Sequence, residues 1–562
     1  MKLSSLFRIL QIMEEITMPK ATKKKVENVS LETVLWNCRV ALRGVGSTDK
    51  NRDAVIGLCF LKFAGDKFEK RRAELKEEYS SINENDIHIF LENAAFYNAV
   101  NVFYLKETAR WPYIVKNSSS NKIAVILDTA MKDIEESNPE LKGALSLNLY
   151  ASLGAPIEKI KQLIDEVNKI DESRFHEEDL IGRVYEYFLQ VYAASGTKED
   201  GEFYTPACAV KLIAELIEPY SGTVYDPCCG SGGMFVQSHK FVEHHHGNRQ
   251  NISVLGQESV QETWRLCKMN LAIRGISHNL GDTNASTFTN DLHKDRKVDY
   301  IMANPPFNLK GWRGENELLK DARWQGYEVP RVSNANYAWI LHIISKLDVN
   351  HGIAGFLLAN GALNDPDEYE NRKRIIQNDK VEAIIVLPRD MFYTTDISVT
   401  LWIINMNKNA GAVNGRQVRD RRGEVLFMDL RRWNQNIDEI VIDKNKKKKK
   451  TVLTDEQIQK VKQIYNSWQS VDTSLYHDVP ELCKAVKILK KDKVNLDDIS
   501  IEEKDWSLAP SKYIEFIDHD LDIDYEKEMT KIQNEMRLLM ASEELSQSML
   551  KDAFRGIGYA ID

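Results

Sequence analysis

Val298-Asp299-Tyr300-Ile301-Met302-Ala303-Asn304-Pro305-Pro306-Phe307 opens as an apolar run with the length of a buried strand and ends in a corner. Prolines cannot continue a central ladder, so the strand must stop where Pro305-Pro306 imposes a rigid turn. The corner places an amide, Asn304, and an aromatic ring, Phe307, at the strand's carboxyl end. In an open α/β sheet that end is where ligands bind.

Outward from this corner the chain alternates strand, turn and helix. Candidate strands cover residues 223–225, 252–257, 298–302, 353–358, 383–387 and 399–405, with helical segments between most of them. Such alternation predicts a parallel, doubly wound α/β sheet with helices on both faces. Residues 424–429 fit a further strand or a connector, and the lysine tract 444–450 reads as a solvated loop.

Residues 30–192 carry helical periodicity, with stretches at 53–78, 87–98, 122–136, 156–168 and 177–192, and predict a separate helical domain. A mobile joint is expected at residues 194–201. Helices return after Thr454, and the last of them, 525–554, repeats Met529, Ile532, Met536, Leu539, Met540, Leu545 and Met549. That apolar side must lie on its own domain or on a partner subunit. The expected division is a flexible terminus 1–29, a helical domain 30–195, a catalytic domain 196–440 and a helical region for subunit contacts 441–562.

At 562 residues, a typical ~100 to 200 residues per domain suggests about three domains. A hydrophobic content of 43% with 28% charged residues is that of a globular protein. The formal net charge of -9 excludes a chain that is basic throughout, so positive charge for nucleic acid must be local or lent by a partner. Seven cysteines without regular spacing point to a reducing, cytoplasmic setting. No signal peptide is evident and Met18 is an alternative start. No apolar run reaches ~18 residues, so no membrane span is expected. His244-His245-His246 has no Cys or carboxylate spacing to complete a metal site, and none is assigned.

In Val224-Tyr225-Asp226-Pro227-Cys228-Cys229-Gly230-Ser231-Gly232-Gly233 a strand runs into an acid and a glycine-rich turn that opens a helix. Glycines let the backbone turn tightly and approach a ligand. No Lys-Ser/Thr pair follows, so this is not a phosphate loop. Asp226 points instead to a cationic or hydroxyl-bearing ligand. The next strand ends in Gly256-Gln257-Glu258, where a carboxylate can grip the ribose hydroxyls of an adenosyl ligand. Asp282 ends the next unit and is a candidate acceptor for an adenine amino group; helix capping is the alternative for either acid.

Taken together, Gly201-Glu202-Phe203-Tyr204-Thr205-Pro206, the Asp-Pro-Cys-Cys-Gly-Ser-Gly-Gly segment, Gly256-Gln257-Glu258 with Met269-Asn270-Leu271, Asn-Pro-Pro-Phe, and Asn334-Ala335-Asn336-Tyr337-Ala338-Trp339 resemble the modification subunit of type I restriction-modification systems. The resemblance covers most of the chain. It implies a Rossmann-like, S-adenosylmethionine-dependent N6-adenine DNA methyltransferase. The cofactor residues implied are Glu202, Phe203, Tyr204, Thr205, Pro206, Ala207, Asp226, Gly230, Ser231, Gly232, Gly233, Glu258 and Asp282. Partners implied are DNA, a specificity subunit, a motor-nuclease restriction subunit and a second copy of the chain. The doublet Cys228-Cys229 and Ala207, where many relatives carry Arg, are local departures.

The resemblance and the chemistry meet at Asn304, Pro305, Pro306 and Phe307. An adenine amino nitrogen is a poor nucleophile because its lone pair is delocalised into the ring. With its hydrogens accepted by the Asn304 side-chain oxygen and the Pro305 carbonyl, that lone pair can face a methyl donor. The base must be flipped from the duplex, where Phe307 can stack on it. Tyr337 is a second candidate wall or a core residue beside Trp339. Arg419, Arg421, Arg422, Arg431 and Arg432 are candidates for phosphate contacts or for a solvated surface. Rival readings are a methyltransferase of RNA bases or protein glutamine, and a non-catalytic scaffold.

Overall fold

The computed structural model describes residues 31–170, 184, 187–188, 190–191, 205–392, 396, 398–443, 446–490, 499–517, 525–556 and 559. Glu202, Phe203, Tyr204 and the expected joint at 194–201 lie outside the described residues, as does most of the expected helix 177–192.

Four longer helices organise the upstream unit: α1 (Leu31–Ala41), α2 (Thr48–Glu78), α3 (Ile123–Ser137) and α4 (Ile157–Val167). The Ser47 hydroxyl caps α2 by accepting from Lys50 N at 3.4 Å, satisfying one orphan donor of its first turn. From Ala54 to Gly65 every residue of α2 is buried, so this half threads the unit's centre, while its charged second half emerges toward solvent. Asp128 on α3 accepts from Tyr150 N and Ala151 N at 3.0 and 2.9 Å, tying a loop to the bundle.

Nine strands form the sheet: β1 (Gly222–Asp226), β2 (Ile252–Gly256), β3 (His278–Asn279), β4 (Tyr300–Ala303), β5 (Ile353–Ala359), β6 (Val381–Val386), β7 (Val399–Asn405), β8 (Glu424–Asp429) and β9 (Cys483–Lys487). Their spatial order is β9-β8-β6-β7-β5-β4-β1-β2-β3. One face is covered by α5 (Ala207–Ile217), α6 (Gly233–His244), α7 (Gln261–Ile273) and, past the sheet's last parallel strand in sequence, α10 (Asp455–Gln469). The other face carries α8 (Asn336–Lys346) and α9 (Tyr369–Gln377). From β1 the chain winds outward through β2 and β3, then returns to β4 on the opposite side of β1. The carboxyl ends of β1 and β4 thus border the switch point where open α/β sheets bind ligands.

Four expectations change. The sheet is mixed: β7 runs antiparallel to β5 and β6, and β9 to β8. No helix is described between β6 and β7, and a parallel return would need a crossover that usually contains one. The expected boundary at 440 falls inside the sheet unit, because α10 packs in its core and β9 extends its edge. The helical domain is present but does not pack alone. Leu266, Met269 and Ile273 of α7 join its apolar cluster, each buried side chain contributing roughly 1.5–3 kcal/mol.

The fourth change is the lysine tract. Strand Lys446–Thr451 pairs antiparallel with Ile437–Asp443. The partner strand supplies Glu439, which pairs with Lys449 at 3.2 Å, and Lys450 is buried and bound to Asp396, ahead of β7, at 2.9 Å. A run read as a solvated loop is therefore, over 446–451, a strand with Lys449 and Lys450 paired to acids.

The arginines are also claimed by acids. Arg419 pairs with Glu424, Arg422 with Asp420, Arg431 with Asp429 and Arg432 with Glu481. Arg421 is 1% exposed and bonds fully buried Glu382 at 2.9 Å, with Gln469 donating to the same carboxylate at 3.0 Å. It cannot touch a phosphate.

The last helix, α11 (Tyr525–Gly556), does not lay its apolar side on the sheet unit. Leu539 is 70% exposed and Met549 65%.

Removing one partner of a buried ion pair leaves an uncompensated charge. Arg421→Ala is expected to lower the free energy of urea-induced unfolding by about 3–5 kcal/mol. The double replacement Arg421→Met with Glu382→Leu should recover most of that loss. Equal unfolding midpoints for Arg421→Ala and wild type would refute the role given to this pair.

Candidate active site

β1 delivers Asp226 to the switch point, and the chain then turns through Pro227 to Gly232. The turn needs glycine at two places: Gly230 has φ 53° and Gly232 φ 85°, and a Cβ on Gly232 would sit 2.9 Å from Cys267 Sγ. Backbone bonds from Cys229 N to Gln257 O (2.9 Å) and from Gln257 N to Asp226 O (3.0 Å) lock it to the end of β2. The turn is built to hold two acids. Glu258 accepts from Gly230 N at 3.1 Å and Val260 N at 2.8 Å, and Asp226 from Cys228 N at 3.0 Å.

Both carboxyls are buried, Asp226 at 2% and Glu258 at 6% exposure. Neither has an ion-pair partner among the described residues. Burial, reinforced by the charge of Glu258 and opposed by the Cys228 hydrogen bonds, pushes Asp226 up to about 7. Burial also raises Glu258 against the backbone N–H groups that favour its charged form. Charged acids in such a site want a cation or hydroxyl donors from elsewhere.

Across the switch point, Asn304 follows directly on β4. Its Nδ2 donates to Thr205 Oγ1 at 3.0 Å, while its Oδ1 is buried with no partner among the described residues. The turn past Phe307 is clamped. Asn308, at φ 54°, donates from its backbone N to Asn336 Oδ1 at 3.0 Å and accepts from Asn336 Nδ2 and Asn334 Nδ2 at 2.9 and 3.2 Å. The geometry of the corner thus comes from the start of α8 as well as from two prolines.

A cavity of about 500 Å³ joins these parts. Thr205, Ala207, Asp226, Glu258, Asn304 and Pro306 line it, as do Gly230, Ser231 and Gly233 of the turn. Gly232 supports the turn from below, against Cys267. Pro206 begins α5. Pro305 is buried at the corner, and Phe307, half-buried, lies edge-on to Phe392 at 6.2 Å. Two candidates fall elsewhere. Tyr337 is 1% exposed and donates to Ala362 O at 2.9 Å, which makes it core. Asp282 is exposed beside Lys268 and outside the cavity lining, where Ser286, Thr287 and Phe288 stand instead.

Periodicity did not reveal the cavity's aromatic wall. Phe288 packs against Trp339 at 4.2 Å and Trp312 at 4.5 Å between ring centroids. Arg323, paired with Asp321 at 2.8 Å, holds this wall by donating to Thr287 O and Phe288 O at 3.0 and 2.7 Å. The only sequence signal was the density of tryptophans between 312 and 339. Of the histidine triplet, His245 packs on Phe241; among the described residues no group of three potential ligands could hold a metal.

The site can hold a ligand bearing cationic and hydroxyl groups at the glycine turn and present an amide oxygen to a second molecule beside it. A family model described as N-6 DNA methylase matches residues 176–520, and one described as an HsdM N-terminal domain matches 31–167. The chain is 35% identical over 447 residues to the type I restriction enzyme HindI methylase subunit of Haemophilus influenzae, covering 78% of this chain and 93% of that protein. It is 31% identical over 543 residues to the MjaIX methylase subunit of Methanocaldococcus jannaschii, covering 94% and 91%. The crystal structure of a type I restriction-modification methyltransferase subunit from Streptococcus thermophilus shares the fold, with a TM-score of 0.67 at 21% identity over 87% of this chain and all of that one.

A buried carboxyl whose pKa is raised on folding contributes stability at low pH that is lost as pH rises through its folded value. For Asp226 the loss runs from about pH 4 to just above pH 7. Asp226→Asn, neutral throughout, should therefore unfold at a higher urea concentration than the ligand-free wild type at about pH 8 and match it near pH 4. A stability difference independent of pH would contradict the burial of an uncompensated charge.

Proposed function

The chain belongs to the N-6 DNA methylase family, as a type I restriction-modification methylase subunit, and on that premise we propose how its residues transfer a methyl group to adenine N6 in DNA. S-adenosylmethionine, when bound, supplies an electrophilic methyl group on a sulfonium. The site fits that cofactor: two buried carboxylates lacking cations stand against a glycine turn in a cavity large enough for it. Glu258 would hold the ribose hydroxyls, Asp226 the ammonium, and the turn 230–233 the backbone contacts, with Thr205, Pro206 and Ala207 closing the side of α5. Glu202, Phe203 and Tyr204 belong to the same proposal.

The observation that carries the catalytic reading is Asn304. Its Nδ2 is committed to Thr205, so its Oδ1, buried and unpartnered among the described residues, is the acceptor left for a substrate amino group. With the Pro305 carbonyl it accepts the two N6 hydrogens and draws the lone pair out of conjugation. Both acceptors are fixed before the substrate arrives, so no reorganisation is needed as positive charge develops on N6. Holding nucleophile and methyl group in line can supply roughly 7–11 kcal/mol of the barrier. Phe307 stacks on the flipped base, a contact of about 1–3 kcal/mol that offsets part of the flipping cost.

The chain works on DNA within a complex of subunits. A specificity subunit reads the sequence, a motor-nuclease subunit cleaves, and a second copy of this chain completes the assembly. The net charge of -9 and the neutralised arginines support a subunit that does not grip DNA alone, and the exposed apolar side of α11 supports its use as a subunit contact. RNA or protein glutamine as substrate is not favoured. Among the described residues no helix is long and apolar enough to cross a membrane.

Asn304→Ala is expected to reduce transfer of tritiated methyl groups to DNA, in the reconstituted complex, by at least about 10²–10³-fold while leaving cofactor affinity intact. Wild-type turnover would end the catalytic assignment. Glu258→Gln should weaken S-adenosylmethionine binding by about tenfold in equilibrium dialysis, since a charge-assisted hydrogen bond contributes roughly 1.5–3 kcal/mol. Unchanged dialysis curves would remove Glu258 from the cofactor site.

A further inference from the structure

A second cavity, of about 550 Å³, separates the charged half of α2 from the start of β2, at the opposite end of the sheet from Asn304. Lys67, Lys70 and Arg71 line it from α2, and Arg249 and Arg274 from the methyltransferase unit. Glu74 is its one acidic lining residue. Arg71 is bridged to Glu78 and Glu74 at 2.6 and 3.3 Å, and Arg249 to Glu243 at 2.7 Å. Arg274 donates to the Asn270 carbonyl at 3.2 Å, a neutral acceptor, and Lys70 forms no ion pair among the described residues. Lys67 donates to Ile273 O at 3.2 Å, while Lys70 and Arg274 meet no carboxylate among the described residues, inside a chain whose formal net charge is -9.

Two buried nitrogens of this lining have no partner among the described residues: Arg274 Nε and His239 Nε2. His239 is only 8% exposed, so its idle ring nitrogen is not explained by solvation. No Phe, Tyr or Trp lines the cavity, so nothing in it selects a nucleobase. Guanidinium and ammonium groups converging on one space match the charge and hydrogen-bond geometry of a phosphate.

We propose that this cavity binds a phosphate group, carried by a small phosphorylated molecule or by a DNA backbone, that bridges the helical unit to the methyltransferase unit. The chemistry is shared by both sources, and the cavity opens at the amino end of β2 while Asn304 stands past the carboxyl end of β4, so the two sites are distinct although Arg274 lines both cavities.

Inorganic pyrophosphate, titrated calorimetrically into the full-length chain at constant ionic strength, is expected to bind saturably at one site. Lys70→Gln with Arg249→Gln should weaken it by about tenfold or more, while S-adenosylmethionine binding by the same variant stays at the wild-type level. Both positions lie on exposed surface, and the cofactor titration verifies folding. Displacement of bound pyrophosphate by duplex DNA lacking the target sequence would assign the phosphate to a DNA backbone; retention would assign it to a small molecule. Absence of saturable binding by the wild-type chain, or equal affinity in the double variant, would overturn the proposal.

Discussion

The hydrogen bond from Asn304 Nδ2 to Thr205 Oγ1 decides which end of one amide is left without a partner among the described residues, and the proposed methyl transfer depends on that choice. β4 carries Asn304 to the switch point, the two prolines stop the strand there, and the Asn308–Asn336 clamp keeps the corner from rotating. On the facing side, Pro206 leads into α5 and Thr205 before it lies within reach. If Asn304 turned its nitrogen inward, the substrate amino group would meet a donor instead of an acceptor, and transfer would lose its electrostatic support.

A second constraint is the isolation of Asp226 and Glu258. Burying carboxyls without cations destabilises the ligand-free chain, and a fold tolerates that only where a ligand returns the energy on binding. Backbone N–H groups hold both acids in place without neutralising them. Elsewhere in the unit buried charge is paired, most firmly Arg421 with Glu382. Charge is thus concentrated where chemistry uses it and cancelled where it does not.

Six of the nine strands were readable, most of them as apolar runs bounded by glycine or proline, and the corner at 304–307 because proline chemistry is local. β8 was one of two alternatives, and the two edge strands, β3 with two residues and β9 with alternating lysines, escaped. What escaped reading depends on partners distant in sequence. The direction of β7 follows from what lies between 387 and 398, and the lysine strand 446–451 from the acids of 437–443, neither of which has a periodicity of its own. The aromatic wall of Phe288, Trp312 and Trp339 is gathered from three segments, and Tyr337 shares α8 with Trp339 yet faces the core. Asp282 shows the limit of positional inference, since a shift of a few residues puts Thr287 and Phe288 at the cavity instead.

On the proposed reading catalysis is local to one corner, and the exposed apolar side of α11 is left for another subunit. The most direct measurement supplies the reconstituted complex with tritium-labelled S-adenosylmethionine and duplex DNA, then digests the DNA to nucleosides for chromatography. All DNA label is expected in N6-methyldeoxyadenosine. Label in a cytosine derivative, or label found only in RNA or protein, would contradict an adenine amino group held by Asn304.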